Sequence, residues 1–127
     1  MNSHDPATGF LPSLSAMKLA WKYADRFTDF KIAPHTVHHG GKLTVTGHLQ
    51  TFSGGKWRNL VHQQVQIILR PNGSKTWYWI VKVSTGARGG FSATFTDPVT
   101  ATWSAEYLGD AKHLATVAPM VAVTVTS

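Results

Sequence analysis

From about residue 26 to the C-terminus the chain alternates apolar and polar residues with period two, and glycine, proline or asparagine breaks that alternation every ~8–12 residues. Successive side chains of a strand point to opposite faces, so each alternating run has one face for a core and one for water. A helical bundle needs apolar residues returning about every 3.6 positions, and this chain lacks that rhythm. The pattern predicts an all-β protein, a single antiparallel β-sandwich of about seven strands. At 127 residues and 13.9 kDa it has the length for one domain with one sizeable core.

The strands are read as follows. RFTDFKIA (26–33) carries Phe30 and Ile32 on one face and stops at Pro34. KLTVTGHLQTF (42–52) turns Leu43, Val45, Gly47 and Leu49 one way and Lys42, Thr44, Thr46 and His48 the other. Gly47 inside that run points to a bulge or a close neighbour. After Gly54 and Gly55 comes the short stretch KWRNL, then QQVQIILRP with Val65, Ile67 and Leu69 inward. Pro71, Asn72 and Gly73 mark a turn that pairs this run with KTWYWIVKVS as a hairpin. Alternation there sends Trp77, Trp79, Val81 and Val83 to the core and Tyr78, Ile80 and Lys82 outward, beside Ile68 of the neighbouring strand. FSATFT buries Phe91, Ala93 and Phe95, and MVAVTVTS buries Val121, Val123 and Val125. TWSAEYLG places Trp103, Ala105 and Tyr107 inside with Thr102, Ser104 and Glu106 opposite.

Residues 1–25 read differently. Pro6, Gly9 and Pro12 interrupt any regular element, so this stretch is expected to be a flexible arm or leader before a domain spanning 26–127. One short amphipathic turn through Leu14, Met17 and Trp21 is the alternative. Charged residues make up only 14% and hydrophobic residues 43%, which excludes a disordered chain and a long charged rod. The absence of cysteine removes disulfides, thiolate metal sites and cysteine nucleophiles. A net charge of +6 favours polyanionic neighbours. The cations fall singly, however, without the basic run that marks a nucleic-acid tail or membrane anchor. Specific nucleic-acid binding is therefore not expected. No apolar run reaches the ~18 residues of a membrane span, and the N-terminus lacks a basic region followed by an apolar one.

PHTVHHGGKLTVTGHLQ, GKWRNLVHQQVQIILRPNGSKTWYWIVKVSTGARGGFSATF and TWSAEYLGDAKHLATVAPMVAVTV together carry a family likeness. The positions are Pro34, Val37, Gly40, Val45 and Gly47; Trp57 and Leu60; Val65, Ile67 and Arg70; Gly73 and Trp77. They continue through Thr85, Gly89 or Gly90, and Phe91 to Trp103, Ala105, Tyr107, Gly109, Asp110, Val123 and Val125. In this order the chain resembles the secreted immunoglobulin-like domain common in actinobacteria. The resemblance implies a secreted or cell-surface module without enzymatic activity or cofactor, and it assigns no ligand, because one fold hosts many functions.

Candidate sites follow from residue types. Trp57, Tyr78, Ile80, Ile68 and Lys82 form the ligand-binding candidate, an exposed aromatic and apolar patch suited to a sugar ring or a protein partner. His35, His38 and His39 around one turn have the spacing for Zn²⁺ or Cu²⁺, but no carboxylate lies near them in sequence, and solvated loop histidines are the plainer reading. His48 and His62 are expected to be exposed. The six carboxylates include no facing pair for glycoside hydrolysis, and no G-x-S-x-G elbow supports a serine nucleophile. Asp97 and Asp110 sit in turn signals, where aspartate caps its own backbone. Tyr107 before Gly109 has the setting of a tyrosine-corner residue whose hydroxyl returns to backbone. The expected function is non-catalytic binding or structural support, with an anionic or carbohydrate cell-wall polymer as target. A protein-interaction or self-association module acting through the Ile68/Tyr78/Ile80 edge is the alternative.

Overall fold

A computed structural model describes residues 2–3 and 22–127. The expectations for an arm or an amphipathic turn within residues 4–21 lie outside the described residues. Among the described residues eleven strands follow one another: β1 (Asn2–Ser3), β2 (Asp25–Ala33), β3 (Thr36–His38), β4 (Lys42–Ser53), β5 (Lys56–Asn59), β6 (Gln64–Pro71), β7 (Tyr78–Ser84), β8 (Gly90–Thr96), β9 (Ala101–Tyr107), β10 (Thr116–Val117) and β11 (Val121–Thr126). The number exceeds seven because β1, β3, β5 and β10 are short ladders of two to four residues. No helix occurs among the described residues.

Two sheets result. The larger runs β1-β7-β6-β9-β11-β3, with β10 also paired to β9; the smaller has β2 and β5 on β4, with β8 paired to β4 as well. All pairings are antiparallel except β3 with β11, which is parallel. The chain leaves the small sheet after β2, passes the Ala33–Pro34 peptide, which is cis, and joins the large sheet as β3. Between the sheets lies one core. Ile32, Leu43, Val45, Leu49 and Phe91 come from the small sheet, and Val65, Ile67, Leu69, Trp103, Ala105, Tyr107 and Val123 from the large one. This is an all-β, sandwich-like arrangement in which period-two alternation supplies an apolar lining to both sheets.

Gly47 answers to the second of its two expectations. The β4–β8 ladder runs without interruption from Lys42 to His48, and a Cβ on Gly47 would sit 2.7 Å from Cζ of Phe91. The bulges fall elsewhere. In β2 the register shifts between Thr28 and Lys31, where Asp29 takes a positive φ of 53°. In β7, Val81 faces Ile67 while Trp79 faces Ile68, leaving Ile80 as an extra residue.

That bulge corrects the expected faces of the hairpin. Beyond it Trp79 shares a face with Ile68 and Lys82, and the Lys82 Nζ lies 5.3 Å from the Trp79 ring centroid. Ile80 packs with Val81 and Val83 against the inter-sheet core instead of facing water. Ile68, Ser104 and Glu106, expected outside, have no exposure at all. They belong to β6 and β9, interior strands whose second face is closed too. Gln66 Nε2 donates to Glu106 Oε1 at 3.0 Å, and the Ser104 hydroxyl donates to the Ala118 carbonyl at 2.8 Å. Satisfied in this way, polar side chains can occupy a buried sheet face.

Candidate functional site

The outward face of the small sheet gathers an organised set of exposed groups. Gly54 and Gly55, with φ of 62° and 80°, make the two-residue turn between β4 and β5, a conformation that glycine adopts without steric cost. A two-residue turn fixes the register: Phe52 faces Trp57, and Gln50 faces Asn59. Since Leu49 and Thr51 point inward, Gln50 and Phe52 must point away from the core. The first strand completes the row by setting Arg26 opposite Gln50.

Contacts then lock the row. The Phe52 and Trp57 rings stand 5.3 Å apart at an angle of 33°, and the Arg26 guanidinium carbon lies 4.2 Å from the Trp57 ring centroid. Arg26 Nε donates to Gln50 Oε1 at 2.9 Å, and Gln50 Nε2 reaches Asn59 Oδ1 at 3.4 Å. A cation held over an indole by a second bond is preorganised, because little side-chain freedom is left to lose on binding. Further along β4 the same face opens into a groove of about 690 Å³ lined by Asp29, Lys31, Thr46, His48, Gly90 and Ser92, among others. There Asp29 Oδ2 lies 3.8 Å from His48 Nδ1. Aromatic, amide, hydroxyl and cationic groups thus follow one another over three strands. This set can stack on a sugar ring and hydrogen-bond its hydroxyls.

The five residues expected to form one ligand site divide between the sheets. Trp57 lies on this face. Tyr78, Ile80, Ile68 and Lys82 belong to the large sheet, where Ile68 is buried and Ile80 turns to the core. Nor is the β7 edge bare at that point, because Asn2 pairs with Trp79 and Ser3 with Tyr78. The edge expected there is covered at Tyr78 and Trp79. Two of the three clustered histidines take separate partners: His38 Nδ1 is 3.0 Å from the Thr126 hydroxyl, and His39 Nε2 is 3.7 Å from Asp97 Oδ1. No group of three or more metal-ligating side chains forms among the described residues.

A second polar cluster closes the far end of the large sheet. Asp110 Oδ1 accepts from the backbone N–H of Lys112 at 2.7 Å and of His113 at 2.9 Å, an aspartate capping its own turn. His113 Nδ1 stands 2.9 Å from the same oxygen. Burial alone would raise the Asp110 pKa, yet these hydrogen bonds and the His113 charge outweigh it and hold the carboxyl below its ordinary value. Asp97 behaves otherwise than expected: its Oδ1 accepts from Gly40 N–H at 3.0 Å and so ties two loops together. The Tyr107 hydroxyl meets side chains instead of backbone, Gln63 Oε1 at 3.1 Å and Asp110 Oδ2 at 3.4 Å. Burial first, then the charges of Asp110 and Asp25, push its ionisation upward.

Asp25 lies beside this cluster with both carboxylate oxygens shut off from solvent. Burial pushes its pKa up to about 6, with the Asp110 charge adding, while Thr51 and His113 pull the other way. These groups fasten the start of β2 to the 108–115 loop, where Tyr23 N–H donates to Lys112 O at 2.7 Å and Leu114 N–H to Tyr23 O at 2.8 Å. Their role is to hold the fold.

The chain matches no protein-family model and no curated protein sequence. Sequence reasoning found Trp57 but missed Arg26, Gln50, Phe52 and Asn59. One signal was available: paired glycines at 54 and 55 fix Phe52 opposite Trp57. The approach of Arg26 had none, since it depends on how β2 pairs with β4.

Proposed function

We propose that this protein is a non-catalytic glycan-binding module with an immunoglobulin-like sandwich, secreted or displayed at the cell surface, which binds through the outward face of the small sheet. The observation that carries this reading is the Arg26–Gln50–Asn59 row beside the Trp57 and Phe52 rings. Stacking of a ring and bonding of hydroxyls by planar amides is the chemistry sugars offer. The immunoglobulin-like reading is supported by the way β2 and β3 join different sheets on either side of Pro34, with β3 parallel to β11. The test is retention of the purified protein on insoluble polysaccharides and isolated cell walls, at low and then raised salt. Retention that survives salt and is lost in Trp57→Ala supports the reading. Absence of retention at either salt contradicts it.

A further inference from the structure

Positive charge is segregated in this molecule. Residues 30–96 contain eight lysines and arginines and no aspartate or glutamate, so β4, β5 and β8 carry no carboxylate. On the outward face of the small sheet the cations keep a regular order. Arg26 stands opposite Gln50, Lys31 opposite Thr46, and Lys42 on β4 itself. These β4 positions are four residues apart, or about 13 Å at the ordinary rise of a strand. All three side chains are exposed. Two acids adjoin the strip: Asp29 Oδ2 lies 3.8 Å from His48 Nδ1, and Asp97 Oδ1 accepts from Gly40 N–H.

We infer that the ligand of this face is a linear acidic polysaccharide of the uronate type, lying along β4 with a sugar ring against Trp57 and its carboxylates meeting Arg26, Lys31 and Lys42. This inference rests on the glycan-binding reading above. Arg26 is the anchor, because Gln50 occupies its Nε and the pair of Nη groups is the part of the fork that grips a carboxylate in two parallel bonds. A single-stranded nucleic acid would call for aromatic platforms at successive nucleotides. Here the two rings sit together at one end, and the rest of the strip presents Thr44, Thr46 and Ser92, partners for hydroxyls.

The test compares oligogalacturonate with its methyl ester, in which the same sugars carry no charge, by calorimetry on the full chain. Wild type is measured beside Lys31→Glu, with Lys75→Glu in the loop between β6 and β7 as control; circular dichroism checks that each variant is folded. The acid form binds at least about tenfold more tightly than the ester, and Lys31→Glu removes that advantage while Lys75→Glu keeps it. Equal affinity for acid and ester overturns the acidic ligand and leaves the glycan reading standing. Equal weakening by Lys31→Glu and Lys75→Glu, or displacement by an oligonucleotide of matched charge, overturns it in favour of diffuse attraction. Binding of neither form also overturns it. Retention on neutral insoluble polysaccharide then separates that failure from the failure of glycan binding itself.

Discussion

Gly47 has room for a hydrogen and nothing larger, since a Cβ there would meet Phe91 at 2.7 and 3.0 Å. Gly47→Ala is expected to lower stability by about 1–3 kcal/mol in urea unfolding, and shortening the neighbour with Phe91→Leu should recover part of the loss. An unchanged midpoint would mean that Phe91 swings aside freely. Asp25 makes a prediction of opposite character, because its carboxyl is harder to ionise folded than unfolded. A raised folded pKa favours the native state while the group is protonated. Its contribution is therefore complete below the ordinary carboxylate range and is lost as pH climbs through about 6. Between those limits the melting temperature should fall with rising pH, and Asp25→Asn should flatten that slope. Asp110, held low, works in the other direction and gives up its contribution as pH falls below the ordinary range. Asp25→Asn therefore leaves the acid limb alone, and a slope that survives the substitution would refute the assignment.

Strand positions were legible at the scale of elements because burial on one side of a sheet writes itself into the sequence every second residue. β4 is the clearest case, its Leu43, Val45 and Leu49 inside and Thr44, Thr46 and His48 outside as expected. β7 failed for a physical reason. One extra residue, Ile80, exchanges the faces beyond it, and a bulge arises from pairing between strands that a single run cannot record. The closed second face of β6 and β9 was hidden likewise: Ser104 and Glu106 read as outward by polarity, and their polarity is satisfied internally. A direct comparison tests the bulge. Ile80→Ala should cost about 1–2 kcal/mol and Lys82→Ala less than about 0.5, although simple alternation puts both on one exposed face. Equal small losses would show that Ile80 does not pack against the core.

For the molecule as a whole, composition and period pointed to two sheets and one core, and left open which outer face gathers the organised set of exposed groups. Trp57 was visible as a candidate, but its neighbours Arg26, Gln50, Phe52 and Asn59 come from three strands and become a set only when β2, β4 and β5 pair. On the glycan-binding proposal, ligand meets this face of the small sheet and not the Tyr78 and Lys82 region of the large one. Amide and indole NMR shifts during titration with oligogalacturonate test it most directly. Shifts confined to Arg26, Gln50, the Trp57 indole and Asn59 are predicted, with Tyr78 and Lys82 unmoved. Shifts centred on Tyr78 and Lys82 with the Trp57 indole still would contradict it.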